Sequence, residues 1–401
     1  AASDVYKRQI QAAPYHPKEM RLFWKIFRAI VSVLLLMAVL LPAAIYVLLS
    51  LDPVQRMVRD TAAEQLTDLL GADVDVGSVT IYPFNRATVE DISLSIGTDT
   101  IAKVATVSAG FELFPLLSRG EVVVDYALVD GVDVHISRPT PEGSLNIQPI
   151  IDRLKSDRPS QKKKFRVEIS TVVVRRASAS YDVVSCAAPD SALFDPHHIA
   201  IRDLAVNAFI PQISDEGFSM HLDHLSFIER SGFILDKLTA QCDIAPDRIS
   251  VENLSVSLPN THLAFAPLTI HGGSNGSLQQ ALQHSPTRIA IDGASVIYPP
   301  DLEAFVPILS NVTRRFELQL DALACLTAVD LQHLSLRDSD GDAIDMTLEA
   351  YATGLDSIGD MSYKLTRGLI DINGAQVASI LSPILKPDVR QLSLIHISEP
   401  T

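Results

Sequence analysis

The sequence predicts a mainly β chain behind one N-terminal transmembrane helix. An uncharged apolar run fills residues 29–51, and beyond Gly71 apolar residues recur at every second position. Helical interruptions after that point are few and short. Successive strands without a regular alternation of strand and helix point to a predominantly antiparallel sheet with a few short helices.

Two stretches are set aside before any fold reasoning. Residues 1–9 and residues 393–401 (SLIHISEPT) resemble translated adapter read-through. On that reading the native chain continues past residue 392. The length left over suits an anchor plus one long or two ordinary domains. A net charge of −15 excludes the basic footprint of a nucleic-acid binder. The one basic run, Lys162–Lys164, sits in a polar linker. Cys186, Cys242 and Cys325 are odd in number, far apart and without metal-ligand spacing, so they read as small buried side chains.

The anchor comes first. Ala29–Leu51 carries no charge, and about twenty such residues cross the hydrocarbon core of a bilayer. Ile30, Leu34, Leu36, Leu40, Ile45 and Leu48 are its membrane-facing candidates, with Trp24 as an interfacial aromatic. Pro42 is tolerable in lipid, where a helix has few alternatives. The run is too long for the apolar region of a cleaved signal peptide, about 7 to 15 residues. Lys18, Arg21, Lys25 and Arg28 crowd the flank 10–28, whereas the opposite flank opens with Asp52. The positive-inside rule therefore expects a cytoplasmic N-terminus with the bulk of the chain across the membrane.

An amphipathic helix follows over 52–71. Asp52 reads as its N-cap, Pro53 as its first helical residue and Gly71 as its stop. Val54, Met57, Val58, Ala62, Leu66, Leu69 and Leu70 make one apolar face. Such a face either lies on a membrane or covers the end of a sheet, and the second use is the commoner.

From there the period is two. Val74 and Val76 alternate with acids, as do Val132, Val134 and Ile136 with Asp133, His135 and Ser137. The pattern continues through Val167 and Ile169; Ile249 and Val251; and Leu254, Val256 and Leu258. It resumes at Leu263 and Phe265, at Phe316, Leu318 and Leu320, and at Met346 and Leu348. One face of each strand should be dry and the other wet. Residues 146–155 and 301–311 read as short helices, 157–164 as a linker, and Pro286 as a weaker joint.

Three ordered stretches carry a resemblance. Leu69–Ile96 and then Asp99–Leu154 run strand, Asp-Thr-Ile, strand, Pro-Leu-Leu, strand, Asp-Gly, strand, Glu-Gly-Ser-Leu-Asn-Ile. His224–Phe265 and Ser295–Leu309 follow. This series, placed after an anchor, resembles the N-terminal part of AsmA-like proteins, in particular the TamB branch of Bacteroidetes-type bacteria. The resemblance covers most of the chain between Leu51 and Leu385. It implies a bacterial inner-membrane protein with its bulk in the periplasm. It also implies an elongated, curved antiparallel β-sheet groove with an apolar interior, akin to bridge-like lipid-transfer proteins. Residues 72–156 would form the first β-segment and 165–392 the continuing groove. The implied partners are inner-membrane phospholipid and an outer-membrane protein met through a C-terminal part missing here.

The periodicity by itself leaves open whether the apolar face packs on a second sheet or stays open to lipid tails. The apolar members of this alternation from Val132 to Leu320 are the candidate lipid-groove positions. Catalytic and metal patterns fail in turn. His271–Gly276 has no nucleophile elbow to serve, His197-His198 lacks helical zinc spacing, and Asp338–Asp342 has its glycine at the wrong place for a calcium loop. The chain reads as a non-enzyme without a cofactor: a phospholipid conduit, or alternatively an assembly factor for outer-membrane β-barrels or a passive envelope scaffold.

Overall fold

A computed structural model describes residues 17–49, 51–82, 85–97, 99–112, 124–155, 169–187, 193–214, 217–245, 247–271, 285–339, 344–355 and 361–372. Helix α1 spans Pro17–Leu49. It begins within the basic flank rather than at residue 29, because no Gly or Pro interrupts residues 18–28. Pro42 lies inside it without ending it. Over Trp24–Leu48 it is the single described helix long and apolar enough to cross a membrane.

Helix α2 spans Asp52–Leu70 and packs its apolar face on the start of the sheet. Leu51 occupies the N-cap position in extended conformation, which places Asp52 in the first turn, one residue later than expected. Its carboxylate there opposes the positive end of the helix dipole. Gly71 adopts φ +67° and returns its N–H to the Thr67 carbonyl at 2.8 Å. That left-handed cap suits glycine.

The described strands form one open sheet. In chain order they are β1 (Asp73–Tyr82), β2 (Arg86–Ile96), β3 (Asp99–Phe111) and β4 (Val124–Arg138). Then come β5 (Ile169–Val183), β6 (His198–Ser214), β7 (Gly217–Glu229), β8 (Ile234–Ala245) and β9 (Arg248–Ser257). The short β10 (His262–Ala264) and β11 (Leu268–His271) both pair with β9. They are followed by β12 (Thr287–Ile297), β13 (Phe316–Ala324), β14 (Ala328–Asp338), β15 (Ile344–Thr353) and β16 (Ser362–Ile372). Sequence order is spatial order, and every pair is antiparallel except β4 with β5. A parallel pair needs a crossover. Helix α3 (Gln148–Lys155) lies within that connection, and the linker expected at 157–164 falls outside the described residues.

Two short helices were expected and one formed. Asn146 precedes α3 and does not belong to it; its side chain instead bonds Ser137 N at 3.0 Å and His135 O at 3.0 Å. Residues 301–311 form no α-helix. Two 3-10 turns, Pro299–Leu302 and Pro307–Asn311, stand there, since Pro307 has no N–H to close an α-turn on Glu303.

Breaks in the strands fall at matching levels. Positive φ occurs at Asp91, Gly131, Arg176 and Asp203 in β2, β4, β5 and β6. The registers set Asp91 and Gly131 at the same level, on either side of Ala105. Further along, β9 breaks at Asn253 (φ +52°), opposite the gap between β10 and β11. Register shifts continue through β12 to β16 at Ser295, Ala322, Leu334 and Ala350. A bulge bends its strand, so aligned bulges crease the sheet across its strands. Each break also resets the alternation: Val74 and Val76 precede it in β1, Val79 and Ile81 follow it, and all four belong to one apolar cluster.

That cluster is the principal buried core among the described residues. Val58, Ala62, Ala63, Leu66 and Leu70 of α2 pack on Val74, Val76 and Val79. Burying three valines contributes about 5 kcal/mol. Arg153 of α3 donates to the Asp68 carbonyl at 3.1 Å and ties the two helices together.

Candidate functional site

Residues directly opposite in a ladder share a face, so the registers trace a row across the whole sheet. Val79, Val89, Val107 and Val129 are successive partners. The row continues through Val174, Val206, Leu225, Leu238 and Val256 to Leu263. It passes Ser295, whose hydroxyl accepts from Ala264 N–H at 2.9 Å, and runs on through Leu318, Leu336, Met346 and Ile370. One serine interrupts a lane that is otherwise Val, Leu, Met and Ile. At a strand spacing near 4.8 Å the lane is roughly 65–70 Å long.

Most of the expected groove residues lie on this face. Val132 and Val134 sit opposite Val104 and Ala102, and Ile136 sits opposite Tyr181. Ile249 and Val251 lie between Ile244 and Cys242 on one side and Ile270 and Leu268 on the other. Leu254 follows the Asn253 bulge in phase with Val256. Phe316 and Leu320 flank Leu318, opposite Ile297 and Ile291. Phe265 forms an isolated bridge with Ile291. Leu258 lies just beyond β9 and is buried. Ile169 opens β5, and Val167 lies outside the described residues. The members missed lie across the breaks from the residues expected, such as Val129 and Val174, which precede Gly131 and Arg176, and Leu334, which follows the shift in β14. Gly77 and the Asp-Gly pair at 130–131 were the available signals for a phase change.

The apolar face is not dry, as the alternation had suggested. Val132, Val134, Val256, Leu318 and Leu320 are half-buried rather than buried. Among the described residues no second sheet covers them: strands pack on their ladder neighbours, with α2 over β1. Along one rim, Phe305 from between the 3-10 turns meets Phe194 at a tilt and Phe233 edge-on, each with ring centroids 5.0 Å apart. Nearby Leu235, Leu258, Ala304 and Phe316 are buried.

The opposite face is polar. Arg176 Nε donates to Asp130 at 2.7 Å, and Arg288 Nε to Asp321 at 2.9 Å. Each arginine holds its partner carboxyl below the usual range. Ser178 donates to Asp133 at 2.6 Å and lowers that group too. The sheet is thus amphipathic, with charges fixed on one side and hydrocarbon on the other. Such a surface can solvate acyl chains at about 0.8 kcal/mol per methylene.

On α1, Trp24, Ile30, Leu34, Leu36, Leu40 and Leu48 are exposed, and Ile45 lies in the same helix. Trp24 meets Phe27 edge-on at 5.7 Å. Lys18, Arg21, Lys25 and Arg28 occupy its first turns. His198 is a buried structural residue: Asp182 and the Cys186 carbonyl contact its two ring nitrogens at 2.9 and 3.2 Å. Asp338 ends β14 and pairs with Arg314 at 2.6 Å, and residues 340–342 of that turn lie outside the described residues. So do residues 272–276 of the glycine-rich stretch. Among the described residues no three His, Cys, Asp or Glu side chains stand close enough to hold a metal ion.

Comparisons of the chain with protein-family models, with curated proteins and with solved structures found no match.

Proposed function

We propose that this chain is a phospholipid conduit: an inner-membrane-anchored, periplasmic β-groove protein of the AsmA-like family, TamB branch, serving transport between the inner and outer membranes. The apolar row from Val107 to Ile370, beyond the part that α2 covers, carries the reading, because hydrocarbon in water demands a cover and no second layer supplies one there among the described residues. Acyl chains on the lane would complete the missing layer while headgroups stay at the wet rim. Because the lane is nearly uniform in side-chain chemistry, a lipid could slide along it with little change in free energy. The basic flank of α1 supports a cytoplasmic N-terminus.

The test is composition. Full-length chain extracted in detergent and purified should carry phospholipid, measured as phosphorus per chain. Replacing Leu318 and Leu336 by aspartate should strip most of it. Wild-type protein free of phospholipid would end the proposal. A second reading, strand addition to a client β-barrel protein, draws on β16, whose outer edge has no partner among the described residues. That reading expects proline substitutions in β16 to impair function and aspartates on the lane to be harmless.

A further inference from the structure

Helix α2 is apolar toward the sheet for only part of its length. Ala63, Leu66 and Leu70 pack on the valines of β1, and one turn earlier the same stripe carries Gln55 and Arg59. There a cleft of about 370 Å³ opens between helix and strand. Gln55, Arg56 and Arg59 line it from α2, and Gly77 and Ser78 from β1. Among the described residues the strand offers neither arginine an acid. Arg56 Nε donates to the Asp52 carbonyl at 3.3 Å, and Arg59 pairs with its own neighbour Asp60, whose carboxylate is 69 % exposed. An exposed pair of that kind contributes about 0–1 kcal/mol, so it competes weakly with an incoming anion.

The cleft stands where the chain leaves its apolar helix. Helix α1 ends at Leu49, and α2 begins at Asp52. Arg56 and Arg59 lie four and seven residues further on, about 6 and 10 Å along α2. Helical side chains lean toward the N-terminus, and Arg56 Nε reaches the carbonyl one turn back. Both arginines are thereby drawn toward the headgroup layer, which is about 5–8 Å deep on each side of the hydrocarbon. A guanidinium meets phosphate oxygens with a planar fork of N–H donors. Asp52 shares the cleft. Its carboxylate opposes a second negative charge and so favours a singly charged phosphodiester over a dianionic monoester.

We propose that Arg56 and Arg59 bind the phosphodiester of a phospholipid in the leaflet from which α2 emerges, and so hold the first strand of the sheet against the membrane surface. The site requires α1 to cross the membrane, and it stands whether or not the lane carries lipid.

The test uses full-length protein in phosphatidylcholine vesicles doped with a phosphatidylethanolamine that carries a diazirine on its headgroup. After illumination, adducts mapped by mass spectrometry should concentrate at Gln55, Arg59 and Ser78. Met57, at the same depth on α2 but outside the cleft and 71 % exposed, should carry few. Changing Arg56→Gln and Arg59→Gln together should cut cleft labelling about tenfold. Arg56→Lys with Arg59→Lys should keep part of it, since the charge remains without the fork. A second lipid with the diazirine in its acyl chain should still label Val134 and Leu336 in the glutamine pair, so failure of this site and failure of the conduit read separately. Should the glutamine pair fail to fold, wild-type protein in rising salt decides: cleft labelling should fall as the charges are screened, and labelling indifferent to salt overturns the site. Labelling equal at Met57 and in the cleft, or unchanged in a folded glutamine pair, overturns it as well. Inorganic phosphate that erases the labelling at the lipid's own concentration and constant ionic strength would assign the cleft to a soluble anion and overturn the lipid assignment.

Discussion

Phe316 and Leu320 lie on the same face of β13, four residues apart, and make opposite demands on mutation. Phe316 is 3 % exposed beside the 3-10 turns, whereas Leu320 is half-buried on the open stretch of the lane. Truncating a closed-core phenylalanine to alanine costs about 3–5 kcal/mol, part of it for the cavity left behind. Full burial of a leucine contributes about 1.5–3 kcal/mol; half that area, with no roof to enclose a cavity, leaves about 1 kcal/mol for Leu320→Ala. Hydrogen exchange at the amides of β13 and β14 in delipidated full-length protein reads both costs locally. Lipid restored to the sample should enlarge the Leu320 penalty and leave that of Phe316 nearly unchanged, because only Leu320 would gain a hydrocarbon neighbour. Equal penalties of several kcal/mol in the delipidated protein would mean that another layer covers Leu320, and the open face would be refuted.

Three further outcomes follow from single contacts. Asp338 has no exposed side-chain area and pairs with Arg314 at 2.6 Å, so Asp338→Ala should cost about 3–5 kcal/mol in denaturation of the full-length chain. Both nitrogens of His198 face acceptors, which only the imidazolium can satisfy as a double donor. The Asp182 carboxylate raises its pKa above the ordinary 6.5, so this stabilisation is complete below pH 6.5 and fades as pH climbs through the raised value; melting temperature against pH should show the decline, and His198→Gln should flatten it. Gly131 has φ +67° and a Cβ there would lie 2.8 Å from that of Ala105, so Gly131→Ala should cost about 1–2 kcal/mol, measured by the same melts.

Period and punctuation made much of this architecture legible. The stretch Val132 to Ile136 alternates cleanly because it lies wholly on one side of the crease, and so does Phe316 to Leu320. Helix α2 was readable from Pro53 and Gly71, whose conformational limits act locally. The crease was signalled only at Gly77 and the Asp-Gly pair at 130–131; elsewhere it depends on positive φ at Arg176 and Asp203, residue types that rarely announce it. Nor was the parallel step from β4 to β5, which follows from where a crossover lands rather than from the residues of either strand. Residues 301–311 carry helix-like apolar spacing, but Pro307 prevails. The Arg138 guanidinium lies over the Tyr181 ring, 5.3 Å from its centroid, and only the pairing of β4 with β5 brings these distant residues together.

Site-specific photocrosslinking in intact cells tests the acyl-chain lane most directly. A benzophenone side chain placed singly at Val134, Leu238 or Leu336 should form lipid adducts detectable by mass spectrometry, while Lys103, Thr239 and Arg337 on the other face should form none. Adducts absent from all three lane positions, or equally abundant on both faces, would contradict the account.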